Sequence, residues 1–320
     1  MAGLRTGALI GLIVVGVLVG VIGCGGNAQQ PPNVVAAWGA AGGRLGEINH
    51  PEGLAVDNQG NLLVADTWND RIVRTDGEGN VAGSFGERGT GDGQFDCPRS
   101  IAVDQAGNIY VVDSWNHRLQ KFSPTGQFLL TFGATGEPWG YDEGDGLFVF
   151  PYGIAVDSQG FIYVSDFNNN RVQKFDASGT FVMKWGTEGR QDGQFSHPAG
   201  LAIDSQDRLY VADMGNDRIE RFTTEGEFDG KWGESGTDPE MFDRPYSVCV
   251  DGEDSFYVAD MGNHRVQKFN ESGRLLYVYG TRGTAEGEFD SPISVAADAE
   301  GRVYVSDWGN NRIQVLAPAS

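Results

Sequence analysis

The sequence predicts an all-β fold: a six-bladed β-propeller of four-stranded antiparallel blades, closed by an N-terminal strand that completes the last blade. Three observations carry this reading. The chain repeats six times at a period of 47 residues, lengthened once to 53. Each repeat divides into four short strands, the pattern of a propeller blade. The last repeat lacks a fourth strand, and a strand of that type stands alone ahead of the first.

The repeat is read from its fixed points. Prolines open the units at Pro51, Pro98, Pro151, Pro198, Pro245 and Pro292. An aspartate follows six residues later (Asp57, Asp104, Asp157, Asp204, Asp251, Asp298) and a second fifteen later (Asp66, Asp113, Asp166, Asp213, Asp260, Asp307). Twenty residues after each proline stands an arginine, from Arg71 to Arg312, with an asparagine two positions before it. In the third copy the strands read 153–156, 161–164, 171–175 and 180–185, separated by Asp-, Asn- and Gly-rich turns. The first strand is apolar on both faces, as an innermost strand between two blades must be. Its middle residue is small in every copy (Ala55, Ala102, Ala155, Ala202, Cys249, Ala296), which suits convergence on an axis. The last unit ends with its third strand, 312–316, while Val34–Gly39 matches the fourth strands that end in Phe85-Gly86, Phe132-Gly133, Trp185-Gly186, Trp232-Gly233 and Tyr279-Gly280. Closing the ring this way leaves fewer exposed strand edges.

The repeats resemble the NHL family over residues 34–316. The resemblance rests on Pro151–Asp157, Tyr163–Asp166 and Asn169–Phe175, and on Asn116-His117-Arg118 and Asn263-His264-Arg265, which keep the family's name-giving step. It implies the propeller but no particular activity, because propellers host unrelated functions.

Residues 1–23 contain one charge, Arg5, and an apolar run from Ala8 to Ile22 that is short for a membrane span. The segment Val21-Ile22-Gly23-Cys24 resembles the lipobox of bacterial lipoproteins. That resemblance implies a signal peptide over 1–23, lipidation of Cys24, a tether over 24–33 and the propeller over 34–320. It also implies an extracytoplasmic location, periplasmic or cell-surface, on a bacterial membrane. The net charge of −21 argues against nucleic acid as a partner, since phosphate binding needs clustered Lys and Arg. Three cysteines are too few for a disulfide framework, and 48 glycines, roughly twice the usual share, suit many tight turns.

Candidate sites follow from where the copies differ. The Asp-x-x-Asn-x-Arg ladder recurs six times, and catalysis needs one asymmetric constellation, so the ladder is read as structural. In the variable slot beside its arginine, His117 and His264 alternate with Asp70, Asn170, Asp217 and Asn311 and are read as solvated. The slot after each proline holds Glu52, Arg99, Tyr152, Ala199, Tyr246 and Ile293. In the peptide-amidating lyase, an enzyme of this fold class, zinc-binding histidines follow the proline in several blades. No histidine does so here, so that activity is not supported. Glu52, Arg99, Tyr152 and Tyr246 are instead expected at the channel rim, able to bind a small polar ligand, with His50 and His197 beside it. The connection between the second and third units is six residues longer than the rest. Its Trp139 and Tyr141 suit a sugar or peptide, and Asp142, Glu143 and Asp145 offer carboxylates to calcium, although their spacing is not that of an EF-hand. A plain surface excursion explains the loop equally well. The second-to-third turns carry Trp68, Trp115, Phe167, Met214, Met261 and Trp308, either as a partner-binding ring or as covers over the seams between blades. The expected function is binding of a protein, peptide or glycan by a monomer tethered to a membrane by its lipid, without a catalytic set, a metal or another cofactor. The alternative is a lyase- or lactonase-type enzyme acting at the channel mouth.

Overall fold

The computed structural model describes residues 32–135 and 144–317. Cys24, the signal segment, the expected tether through residue 31, and Trp139, Tyr141, Asp142 and Glu143 lie outside them; Asn33, expected to end the tether, instead opens a strand. Within the described residues the chain forms six four-stranded antiparallel sheets, one per blade. The innermost strands are Pro51–Val56, Pro98–Val103, Pro151–Val156, Pro198–Ile203, Pro245–Val250 and Pro292–Ala297. Every second strand, such as Ile109–Asp113, is buried along its whole length. Fourth strands such as Phe181–Trp185 alternate half-buried and exposed residues, because their outer edge meets solvent. The N-terminal strand Asn33–Trp38 pairs antiparallel with Arg312–Ala317, from Asn33 opposite Ala317 to Trp38 opposite Ile313, and completes blade 6.

Among the described residues, apolar side chains gather in six clusters, each between two blades. Tyr110, Val112, Leu119 and Phe132 of blade 2 pack on Phe148, Ile154, Ile162 and Phe175 at the inner face of blade 3. The ring-closing seam joins Leu54, Leu62 and Val64 of blade 1 to Tyr304, Ile313 and Val315 of blade 6, with Trp38 against it. Near the axis the blades nearly touch: a Cβ on Gly153 would lie 2.2 Å from the Ala199 carbonyl oxygen. That approach explains why small residues recur along the innermost strands.

The Asp-Asn-Arg ladder fastens each loop to its blade. In blade 2 the buried Asp113 accepts the Asp96 backbone N–H at 2.8 Å, the Asn116 amide at 2.9 Å, Arg118 Nε at 2.7 Å and the Gln120 amide at 3.0 Å. The Arg118 guanidinium then donates to the Thr90, Gly91 and Gln94 carbonyls of the loop that enters the blade. Asp66, Asp166, Asp213, Asp260 and Asp307 repeat the Nε pairing at 2.7–2.8 Å, and all six carboxylates are fully buried. Burial raises the pKa of Asp66, Asp113, Asp166, Asp213 and Asp260, against the opposing pull of their hydrogen bonds.

The variable slot is not simply solvated. Each of its residues caps a short 3₁₀ turn or its equivalent in a left-handed conformation and accepts a backbone N–H at the start of the next blade. Asp70 receives Cys97, Asn170 receives His197, Asp217 receives Arg244 and Asn311 receives His50. His117 and His264 do the same through Nδ1, from Phe150 at 3.1 Å and Ser291 at 3.0 Å. Asp, Asn and His share an acceptor at the same distance from the backbone, and all three tolerate the left-handed region. The slot varies in identity but not in function.

Glycines end the fourth strands for a definable reason. Gly233 has φ +91°, and a Cβ there would lie 2.2 Å from the ring of the fully buried Phe242. Gly60, in a first-to-second turn, has φ +81° but open space around it. Gly60→Ala is therefore expected to cost about 1 kcal/mol, the backbone term alone, and Gly233→Ala about 3 kcal/mol or more, measured by urea unfolding. Equal costs would mean the Phe242 contact contributes nothing.

Candidate functional site at the propeller axis

The second-to-third turns and the loops between blades lie on one face of the ring, together with the proline ends of the innermost strands. Residues after those prolines therefore point toward the axis at this face. The structure brings four of the sequence-derived candidates together there. The Tyr152 hydroxyl donates to Glu52 Oε2 at 2.8 Å, and Arg99 Nη1 stands 3.8 Å from the same oxygen. The Arg99 guanidinium lies 5.1 Å from the centre of the Tyr152 ring, and Tyr246 meets Tyr152 edge-on at 5.0 Å. These side chains come from blades 1, 2, 3 and 5. Blades 1 and 3, and blades 3 and 5, are not neighbours, so the contacts cross the axis. Ala199 and Ile293, from the remaining two blades, are buried. Polar side chains from three consecutive blades, Glu52, Arg99 and Tyr152, together with Tyr246 beyond Ala199, thus form a plug at this end of the channel.

The plug is electrostatically tight. Glu52 is only 5% exposed. Burial raises its pKa, while Arg99 and the Tyr152 hydrogen bond pull it down. Burial and Glu52 together raise the Tyr152 pKa well above that of free tyrosine.

His50 and His197 stand outside this group. His50 stacks on Trp68 at 3.9 Å, meets Trp308 edge-on at 4.5 Å, and hydrogen-bonds Asn49 through Nδ1 at 2.8 Å. Burial lowers its pKa. His197 packs against Phe167 at 4.9 Å, and Phe167 lies 5.8 Å from Tyr152, linking the turn residues to the plug. The six apolar turn residues are not equivalent. Trp68 and Trp115, in adjacent blades, are 57% and 52% exposed, whereas Phe167, Met214, Met261 and Trp308 are half-buried. Of the long loop, the described Asp145 pairs with Lys184 at 3.0 Å.

The opposite face opens into a cavity of about 540 Å³ walled by Asp104, Asp157, Asp204 and Asp251. These carboxylates are engaged by their own turns: Asp157, for example, accepts the Gln159 and Phe161 backbone N–H groups and the Tyr163 hydroxyl. Among the described residues, the two thiols, Cys97 and Cys249, are not activated. Burial pushes the Cys97 pKa up to about 11, and raises that of Cys249 as well.

The NHL repeat profile matches residues 49–74, 95–122, 148–175, 195–222, 242–269 and 289–316, one match in each blade. The chain belongs to the NHL repeat family. Among characterised sequences, protein lin-41 of Caenorhabditis elegans is 51% identical over 41 residues, a match spanning 13% of this chain and 4% of lin-41. Among solved structures, a streptogramin B lyase superposes with a TM-score of 0.61 at 17% identity, over 85% of this chain and 94% of the lyase. A gluconolactonase from Xanthomonas campestris superposes with a TM-score of 0.64 at 16% identity, over 90% and 95%. At these identities the likeness extends to the fold.

Removing the cation from the plug leaves Glu52 buried without its partner. Arg99→Met is expected to lower stability by about 3 kcal/mol at neutral pH. Glu52 then gains a still higher folded pKa, so the loss shrinks as pH falls toward the unfolded carboxylate range. Urea unfolding at two pH values measures this, and a loss independent of pH would count against the pairing.

Proposed function

We propose that the protein is a non-enzymatic binding protein, lipid-anchored through Cys24 outside the cytoplasm. It presents the face bearing Trp68 and Trp115 to a protein, peptide or glycan. The observation that carries this reading is the pair of half-exposed tryptophans in neighbouring blades. They lie on a face where Glu52, Arg99 and Tyr152 are already engaged with one another. Large aromatic side chains left in water on a rigid platform are typical anchors for partners. Chain direction supports the anchoring geometry. The N-terminal strand begins at Asn33, beside Ala317, at the face opposite the tryptophans. A tether entering there holds the tryptophan face away from the membrane.

Two measurements test the two halves of this reading. Labelled palmitate is expected to enter the wild-type protein in a bacterial host and to be lost in Cys24→Ser; unchanged labelling would sink the anchor. Trp68→Ala/Trp115→Ala is expected to keep the wild-type melting temperature within a few degrees and to lose at least tenfold in affinity for a captured partner. Retained affinity moves the site elsewhere.

A second reading, a lyase- or lactonase-type enzyme at the axis, is favoured by one observation: Glu52 is a buried carboxyl with a raised pKa beside Arg99 and two tyrosines. Hydrolysis of a lactone or elimination from a cyclic ester by the purified protein, abolished in Glu52→Gln, would establish this reading over the first.

A further inference from the structure

The third strand of each blade carries one more repeated position, two residues after the ladder arginine: Val73, Gln120, Gln173, Glu220, Gln267 and Gln314. In the four glutamine copies the side-chain amide joins three groups. Its Oε1 accepts a backbone N–H from the incoming loop, at Gly93, Gly146, Glu240 and Gly287. Its Nε2 donates to a loop carbonyl, of Gln94, Leu147, Met241 or Glu288, at 2.6–2.8 Å. The same Nε2 also donates to the buried aspartate of the ladder at 3.0–3.2 Å.

Blade 4 has Glu220 in this place. Its Oε1 keeps the glutamine role, receiving the Gly193 N–H at 3.4 Å, and Arg218 Nη2 lies 3.1 Å away. Its Oε2 is fully buried and has no hydrogen-bond partner. By the repeat, the groups that stand where Nε2 would donate are Asp213 Oδ2 and the Gln194 carbonyl, both acceptors. Arg218 already donates to each of them, at 2.8 and 2.7 Å. An ionised carboxylate has nothing to offer either one, and an unpaired buried acceptor is costly.

We propose that Glu220 is protonated on Oε2 in the folded protein, its O–H replacing the glutamine N–H of the other blades, and that losing this proton loosens the loop entering blade 4. The groups facing the carboxyl agree. Arg218 lies on its own strand, Asp213 comes from the second strand and Asp192 from the loop. Lys231, opposite on the fourth strand, is already paired with Asp192. Burial is the largest influence and pushes the Glu220 pKa up to about 7, with Arg218 opposing and Asp213 reinforcing. A carboxyl whose folded pKa exceeds its unfolded value contributes its full stability below the unfolded value and loses it as pH rises through the folded one. The loss therefore falls between about pH 4.5 and 7. The loop concerned carries Phe195, which fills the seam between blades 3 and 4, and His197.

The test compares the melting temperatures of the wild-type protein and Glu220→Gln from about pH 4 to about pH 8.5. The expected result is coincidence at the acid end and an advantage of roughly 5 °C for the variant at the alkaline end. A gap that does not change with pH, or a wild type more stable at high pH, overturns the proposal. Glu220→Val, which copies Val73 of blade 1, also removes the titration and must flatten the same difference. Amide exchange over residues 187–196 should be faster in the wild type than in Glu220→Gln at about pH 8.5 and equal at about pH 5. Equal exchange at both values overturns the loosening of the loop.

Discussion

The whole ring depends on one carboxylate used six times. Each buried ladder aspartate ends a second strand and faces the loop that enters its own blade. It draws onto itself a loop N–H, an asparagine amide and an arginine Nε. The arginine extends the hold to three further carbonyls. Loops lacking regular structure carry backbone groups that need partners, and in a propeller those loops press against the top of every blade. The aspartate meets that need together with short parallel bridges inside the loops, such as Arg88 with Phe95 and Ala134 with Leu147. Its desolvation is offset by the number and shortness of its bonds. With each loop fixed, its capping residue can receive the next blade, and the seams come into register.

A ring held by six equivalent devices is free to differ elsewhere, and the differences cluster. Around the axis, Glu52, Arg99, Tyr152 and Tyr246 break the sixfold pattern in one layer, with Ala199 and Ile293 giving them room. In the turns above them, two tryptophans stand out in the water while four counterparts fold inward. Blade 4 alone places a glutamate where four blades keep a glutamine. The axial and turn changes leave the ladder alone, and the Glu220 change sits beside it, 3.1 Å from Arg218. The repeat supplies the rigid frame, and chemistry enters at positions the frame does not use.

Much of this was legible in the sequence because repetition averages away local ambiguity. Six prolines in register, an unpaired strand at Val34–Gly39 and a truncated final unit specify the blade number and the closure. The structural reading of the ladder followed from its equivalence across copies. What the sequence did not carry was direction and reach. Nothing in the pattern says that the slot holding His117 and His264 points into the next blade; its restriction to Asp, Asn and His was the available signal. The convergence of Glu52 with Tyr152, 100 residues away, depends on the closed ring, which brings the slots of non-adjacent blades together at one axis. The stacking of His50 on Trp68 depends on a left-handed residue before each proline, which residue type alone does not announce.

The closing strand has a topological consequence. Asn33 and Ala317 sit opposite each other in one ladder, so the two ends of the ring are already side by side. A short linker between them would leave every seam, ladder and plug contact in place, and the chain could then be opened in any loop between blades. Sequence order is therefore largely arbitrary for this architecture: circular permutants started at any of the six blades would describe the same object. What the chain order does fix, through the pairing of Asn33 with Ala317, is that the first and last described strands share blade 6.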